Sequence, residues 1–270
     1  MASPKVVPHR PIPDPEPATP VLSLSGLSRR YGKITAVEDV SFSVAAGEVT
    51  ALLGDNGAGK STLISMISGV TPPSGGHIRL GGQPVAFSSP ADARRAGIAT
   101  VFQNLSLIED RSIAENLFLG CERVRFGFLL DRRGMNREAQ SVLDRLRVNL
   151  PPVTTAVRYL SGGQRQAVAV ARTVLHGSRL VIMDEPTAAL GVRETGRVLE
   201  LIDRLRSQGT AVLLVSHNMD NVFEVADRAV ILRLGRKVGE LQLSDTNRAE
   251  VVGLVVGGAS PVSPTRERVA

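Results

Sequence analysis

The segment Gly54-Asp55-Asn56-Gly57-Ala58-Gly59-Lys60-Ser61 constrains the fold of this 270-residue chain more than any other feature. It follows a strand-like run from Glu48 to Leu53 and precedes a stretch with helical spacing, Lys60 to Ile67. A strand, a glycine-rich loop and a helix in this order are the context of a P-loop, in which backbone N–H groups surround a phosphate chain. A chance glycine-rich loop is the alternative, and the strand-to-helix context argues against it. We therefore expect an α/β fold that binds a nucleotide.

The residue types of this loop suit a bound polyphosphate. Its glycines permit the backbone angles and the close approach that an oxyanion requires, and the following helix adds its positive end. Lys60 is expected to contact the β- and γ-phosphates, and Ser61 to coordinate Mg²⁺. The predicted nucleotide-binding segment consists of Gly54, Asp55, Asn56, Gly57, Ala58, Gly59, Lys60, Ser61 and Thr62.

Two adjacent acidic residues follow a second aliphatic run, Leu180 to Met183. Asp184 ends this predicted strand, and its carboxylate is expected beside the loop as a partner of Mg²⁺. Glu185 comes next and is expected to orient and polarise the attacking water. The alternative is that both acids cap a helix or face solvent at the strand end. Together with the loop, the acids favour a phosphoryl-transfer site.

Composition agrees with an α/β fold. Aromatic residues make up 3% of the chain and Gly numbers 26, as is typical of aliphatic parallel strands joined by tight turns.

The single Cys121 excludes an internal disulfide and, with no signal-peptide pattern near Met1, favours a reducing cytosolic compartment. The net charge of +6 comes from arginines that alternate with acids and lack interleaved aromatics. Direct nucleic-acid binding is therefore not indicated.

The pattern along the chain predicts one ordered domain, residues 21–256, between disordered tails at 1–20 and 257–270. The longest apolar runs, such as Val251 to Val256, fall far short of the roughly 20 residues that cross a bilayer. Any membrane association must therefore go through a partner or the protein surface.

Two lobes are predicted around the nucleotide-binding core. Val21 to Leu24 and Val40 to Val44 indicate half-buried antiparallel strands near the N-terminus. From residue 107 to 160 the spacing becomes helical, which predicts an inserted helical lobe. The predicted fold class is thus α/β, with a P-loop NTPase core on a mixed or parallel sheet, an N-terminal antiparallel β lobe and an inserted helical lobe.

A second glycine-rich element, Leu160-Ser161-Gly162-Gly163-Gln164, precedes the acidic pair. One subunit does not need it to hold phosphate, so we expect it to reach a nucleotide held by another copy. The combination with the P-loop resembles the ATP-binding cassette ATPases, the motor subunits of ABC transporters. The resemblance implies that Ser161, Gly162, Gly163 and Gln164 complete the ATP site of a second, identical subunit.

Three further residues receive roles from this resemblance. Gln103 looks like the Q-loop glutamine that senses Mg²⁺ and water where a membrane subunit docks, His217 like the switch histidine that contacts the γ-phosphate, and Tyr31 like the aromatic that stacks on adenine. Taken singly, a histidine or tyrosine is more often a packing or surface residue. The implied catalytic residues are Glu185, His217, Gln103 and Lys60, and the implied Mg²⁺ ligands are Ser61, Gln103 and Asp184.

The resemblance covers roughly residues 21–256 and has one departure. Where such proteins usually have Ser-Ala-Leu-Asp after the catalytic acid, this chain has Ala188-Ala189-Leu190-Gly191, without the aspartate that bonds across the subunits. The segments that look like the ribose, xylose and fructose group of importers are Thr187 to Val192, Ser216 to Met219, Phe223 to Arg228 and Glu115 to Gly120.

The resemblance implies an ATPase that dimerises around ATP and Mg²⁺ and drives import of a simple sugar. The implied partners are transmembrane permease subunits and an extracytoplasmic sugar-binding protein, with this subunit held on the cytoplasmic face of the membrane. An exporter ATPase and a soluble, non-transport cassette ATPase are the alternatives. The motifs do not identify the sugar, because its recognition belongs to the permease and the binding protein.

Overall fold

The computed structural model describes residues 19–188 and 190–257. The tails predicted at 1–20 and 257–270 therefore lie almost entirely outside the described residues. In chain order the strands are β1 (Leu22–Tyr31), β2 (Ile34–Val44), β3 (Val49–Leu53), β4 (Gly75–Leu80), β5 (Gln83–Val85), β6 (Ile98–Val101), β7 (Val124–Arg125), β8 (Leu129–Leu130), β9 (Leu180–Asp184), β10 (Ala211–Val215), β11 (Arg228–Arg233) and β12 (Arg236–Gln242).

The helices, in the same order, are α1 (Lys60–Ile67), α2 (Pro90–Arg95), α3 (Ile113–Leu117), α4 (Arg132–Arg145), α5 (Gly162–Leu175), α6 (Val192–Ser207), α7 (Met219–Val225) and α8 (Arg248–Val256), with a short 3₁₀ turn at Val157–Tyr159. Within the described ranges, no helix has both the length and the apolar character that a membrane span requires.

A six-stranded sheet forms the centre of the molecule, in the order β12-β11-β3-β10-β9-β6. The strands β11, β3, β10, β9 and β6 are parallel, and β12 pairs antiparallel with β11 at one edge. The carboxyl ends of β3, β9 and β10 therefore lie side by side. In a parallel sheet this edge is where ligands bind. The predicted α/β class with a mixed sheet is confirmed.

A second, antiparallel sheet in the order β2-β1-β4-β5 covers one face of the central sheet. Val40, Phe42 and Val44 alternate with exposed or half-buried residues on β2 and are all buried. This alternation is the period-two pattern of a sheet with one face on the core. The N-terminal antiparallel lobe expected from the sequence is therefore present.

The core is layered on both faces of the central sheet. Along β9, Leu180 and Ile182 pack with the antiparallel lobe, whereas Val181 and Met183 pack with the helices on the opposite face. A strand in which every residue is apolar is buried on both faces of the sheet. The continuous aliphatic run of β9 is thus a consequence of its central position.

The region from 107 to 160 contains α3, α4 and the 3₁₀ turn, together with a small hairpin of β7 and β8 that the sequence analysis did not predict. The hairpin turns at Phe126 and Gly127, whose φ angles are 54° and 81°. Its strands have two residues each, which is too short for any periodicity to be recognised. The α3 and α4 helices pack on α5, so this region shares one core with the central sheet.

Candidate functional site

The loop between β3 and α1 has a backbone that only glycine fits at two positions. Gly54 has φ 150°, and a Cβ atom there would lie 2.3 Å from the carbonyl oxygen of Leu232. Gly59 has φ 100°, and a Cβ atom there would lie 2.7 Å from the carbonyl oxygen of Ala36. A side chain at either position would displace neighbouring backbone. Packing of the loop therefore requires glycine at positions 54 and 59, whereas Gly57, where a Cβ atom would meet no atom within 4 Å, is favoured only by its φ of 82°.

The first turn of α1 is open to an anion. Its N-cap residue, Gly59, supplies no side-chain hydrogen bond, and no acidic residue lies in the first turn. The backbone N–H groups at such an end carry partial positive charge. Lys60 Nζ donates to the carbonyl oxygens of Gly54, at 2.6 Å, and Asp55, at 3.0 Å. This arrangement holds the ammonium group across the mouth of the loop.

Asp184 ends β9, whose neighbour β10 lies beside β3. Burial raises the pKa of the Asp184 carboxyl above its usual value, Glu185 raises it further, and Lys60 lowers it. A carboxylate whose ionised form is disfavoured in this way gains from a cation close by.

Glu185 has an unusual backbone and a fixed partner. Its φ is 50°, in the left-handed region, and its amide donates to the carbonyl oxygen of Val215 at 2.9 Å. The Glu185 carboxylate lies 2.8 Å from Nδ1 of His217, which follows β10. Only 18% of the Glu185 side chain is exposed, against 77% of the His217 side chain. The carboxylate is thus oriented from one side while the imidazole remains free to meet a ligand.

These groups line one cavity of about 620 Å³. The predicted residues that it brings together are Asn56, Gly57, Ala58, Gly59, Lys60, Ser61, Thr62, Gln103, Asp184, Glu185 and His217. Hydroxyl, carboxamide and carboxylate oxygens of Ser61, Gln103 and Asp184 are the ligand types that Mg²⁺ prefers. The donor set therefore fits a Mg²⁺ ion bound together with a nucleotide.

Tyr31 is placed near this cavity but is not among its lining residues. It ends β1, 45% of it is exposed, and the Arg29 guanidinium lies 4.7 Å from its ring centroid. The cavity wall on this side is instead formed by Ile34, Thr35 and Ala36 at the start of β2. Sequence analysis missed these residues because they carry no motif.

The second glycine-rich element forms the start of α5, away from the P-loop cavity of the same chain. Ser161 is the N-cap: Gln164 N–H donates to Ser161 Oγ at 3.4 Å, and Ser161 N–H donates to Gln164 Oε1 at 2.9 Å. The two residues therefore form a capping box. Glu194 of α6 lies beside this capping box. The Ser161 hydroxyl lowers the pKa of the Glu194 carboxyl, as do the backbone amides of Gly191 and Gly163, whereas burial raises it.

Sequence comparisons identify relatives along most of the chain. Residues 37–188 match the family model described as ABC transporter. A fructose import ATP-binding protein of Rhizobium meliloti is 48% identical over 258 residues, which are 93% of this chain and 98% of that protein. A xylose/arabinose import ATP-binding protein of Sulfolobus acidocaldarius is 43% identical over 88% of this chain and 95% of that protein. A ribose import ATP-binding protein of a Jannaschia strain is 42% identical over 92% of this chain but 48% of its own length.

Solved structures show the same fold. A nucleotide-free ATP-binding cassette from an ABC transporter superposes with a TM-score of 0.74 at 24% identity, over 87% of this chain and 98% of that one. A dimeric ATP-binding cassette in a post-hydrolysis state, bound to ADP and phosphate, superposes with a TM-score of 0.68 at 23% identity, over 82% and 98%. At these identities the likeness concerns the fold.

Proposed function

Because this chain belongs to the ABC transporter family and has the fold of its ATP-binding cassettes, we propose that it hydrolyses ATP to power the import of a simple sugar. The observation that carries the proposal is the single cavity in which Lys60, Asp184, Glu185 and His217 meet the P-loop. The relatives named for fructose, ribose and xylose/arabinose import support the transport direction and the substrate class.

Hydrolysis follows from the placement of the side chains in this cavity. The amides of the loop and the Lys60 ammonium bind the β- and γ-phosphates, and the Glu185 carboxylate orients water for in-line attack. His217, bonded to Glu185 at 2.8 Å, holds that carboxylate, and its exposed ring would contact the γ-phosphate. Mg²⁺, held by Ser61, Gln103 and Asp184, would neutralise charge on the transferring group.

Two copies of the chain are proposed to face each other head to tail. Each P-loop would then present ATP to the Ser161 hydroxyl and to the Gly162 and Gly163 amides of the opposite copy. The complete anion site exists only in the dimer, so ATP favours closure and hydrolysis favours reopening. Gly191 replaces the aspartate that similar proteins use across this interface.

The remaining partners are proposed from the relatives and from the chemistry of transport. A permease pair would provide the path through the membrane, and an extracytoplasmic protein would deliver the sugar. This subunit would lie on the cytoplasmic face, held by the permease through the segment that contains Gln103.

The deciding experiment is reconstitution of the chain with its co-purifying permease in vesicles, followed by ATP hydrolysis with and without single sugars and the binding protein. We expect hydrolysis to rise with one sugar and to disappear in a Lys60→Ala complex. Hydrolysis that no sugar changes, or sugar that accumulates inside vesicles with the nucleotide site outside, would contradict import. Failure of the wild-type chain to hydrolyse ATP under any of these conditions would contradict the proposal as a whole.

A further inference from the structure

A second polar cavity, of about 350 Å³, lies next to the nucleotide cavity. Four segments line it: residues 103–109 after β6, Val157 of the 3₁₀ turn, the first turns of α5, and residues 185, 186, 188 and 190 after β9. Gln103 and Glu185 also line the nucleotide cavity, and Gly162 belongs to the element proposed to bind the opposite copy's ATP. The cavity therefore joins the two half-sites of one chain.

Gln166 lines this cavity from α5 in an unusual state. Its residue exposure is only 5%, and its side-chain Nε2 is buried without a hydrogen-bond partner among the residues that the structure describes. The helix continues from Ala167 to Ala171 with buried apolar residues, so an apolar side chain would suit position 166 better. A buried polar group without a partner destabilises the fold and calls for an explanation.

The segment 103–109 is hydrogen-bonded to α5 through Arg172, to α3 through Asn116 and to the 3₁₀ turn through Arg158. Arg172, nearly two turns after Gln166, donates to the carbonyl oxygens of Leu105, at 3.2 Å, and Ser106, at 3.4 Å. At the Gly162 end of the helix, Gln166 and the segment both line the polar cavity. The segment is thus held from Leu105 onward, and Gln103 and Asn104 line the cavity together with Gln166.

We propose that Gln166 is a positioning residue whose amide donates, through water held in this cavity, to the segment 103–109, so that Gln103 and the start of α5 move together. The cavity has the volume and, in Asn104, Glu109 and Arg165, the polar partners that ordered water requires. The contact links the residue that senses a chain's own nucleotide to the turn that binds the opposite nucleotide. This inference rests on the proposed function.

Two variants separate this role from packing. Gln166→Met keeps the length of the side chain and removes the donor, whereas Gln166→Asn keeps the donor on a shorter side chain. Gln140→Met on the exposed face of α4 is the matched control, since it removes a carboxamide far from the cavity. Purified full-length variants are compared by melting temperature, by MgATP binding and by kcat and KM for ATP hydrolysis, with Lys60→Ala as the inactive reference.

We expect Gln166→Met to melt at or above the wild-type temperature, because an apolar group replaces an unpaired donor. Its kcat should fall about tenfold with MgATP affinity and KM within about twofold of wild type, and Gln166→Asn should regain most of the lost turnover. Wild-type kcat in Gln166→Met would overturn the role of Gln166 and leave the proposed function intact. Equal loss of turnover and of melting temperature in both variants would assign Gln166 to packing alone. Absence of hydrolysis in the wild type would overturn the proposed function, and this inference with it.

Discussion

The starts of α1 and α5 are both glycine-rich helix ends, yet they differ in how their N–H groups are satisfied. At α1 the N-cap glycine provides no side-chain oxygen and no acid lies in the first turn. At α5, Ser161 and Gln164 form a capping box, and the Glu194 carboxylate lies against Ser161 and Gly163. One end is built to receive an anion, and the other already has a neighbouring anion of its own.

This difference has a consequence for the order of events. We expect a single chain to present the α1 end to ATP directly, and the α5 end to accept a γ-phosphate only where Glu194 withdraws. A carboxylate and a phosphate at one helix end repel each other because both are negatively charged. They also compete for the same backbone N–H groups. We therefore expect ATP to bind to one chain first and dimer closure to follow.

The largest expected effect tests whether the start of α1 in one chain and the start of α5 in the other act on the same nucleotide. Glu185→Gln removes the carboxylate that we propose to orient water and keeps the shape of the side chain, so hydrolysis should fall about 1,000-fold. The unhydrolysed ATP should then hold two chains together, as a dimer that sedimentation detects with MgATP and not with MgADP. Wild-type turnover in this variant would move the water-orienting role to another residue.

The next effect concerns only the start of α1, where no side chain caps the helix. Lys60→Ala removes the ammonium group at the mouth of the loop, and we expect MgATP affinity and turnover to fall about 100-fold. Calorimetric titration of the purified chain measures the affinity. Lys237→Ala, on β12 outside the cavity, is the control and should bind as the wild type does. Unchanged binding in Lys60→Ala would contradict the P-loop assignment.

A smaller effect is expected at the capped end. Ser161→Ala should lower turnover about tenfold and leave MgATP binding to the single chain unchanged, because Ser161 is proposed to meet only the opposite nucleotide. Ser112→Ala is a matched control, since Ser112 caps α3 with the same box, formed with Glu115. Both variants should lose similar stability, about 1 kcal/mol. Equal loss of turnover in the two would mean that only helix capping had been measured.

Removing the negative charge from the capped end should strengthen closure. In the Glu185→Gln background, Glu194→Gln is expected to lower the ATP concentration needed for dimerisation about threefold, since the γ-phosphate no longer meets a carboxylate there. Glu200→Gln on the exposed side of the same helix controls for net charge. Weaker dimerisation in Glu194→Gln would show that this carboxylate supports the interface instead.

The smallest effect concerns stability without nucleotide. Since burial and Glu185 raise the pKa of Asp184, its ionised form destabilises the folded chain, and this penalty appears as the pH rises from the ordinary Asp pKa through the raised one. Asp184→Asn should therefore melt about 2 °C higher at pH 7. The difference should shrink below the ordinary Asp pKa, where both states are protonated. A lower melting temperature at pH 7 would contradict this account.

Local patterns were sufficient for much of the fold. The sequence analysis assigned Lys60 to Ile67 to a helix, and α1 has the same bounds. It gave no element for α6, although Val198, Leu201 and Leu205 recur there at helical spacing and are buried. The short α2 and α7 and the two-residue strands of the hairpin lack enough residues for such a period.

The residues of the site also fall into two groups, those that the sequence predicted and those that it did not. The P-loop, the acidic pair and the Ser161 element were recognised because each is a contiguous motif with its own chemistry. Glu194 and Arg172 belong to no motif, and their contacts join segments that are distant in the chain. Sequence reasoning had no signal for them, since a lone charged residue on a helix normally faces solvent.

The sequence by itself determined the P-loop, its place between a strand and a helix, and the carboxylates that follow β9, because these depend on residues adjacent in the chain. Only the tertiary structure decided that Glu185 meets His217 across two strands and that Glu194 lies against the start of α5. It also decided that Gln166 is buried with Nε2 unpartnered within the described part of the chain. The reason is physical. Backbone propensities act over a few residues, whereas the register of parallel strands and the packing of helices set the distances between side chains far apart in sequence.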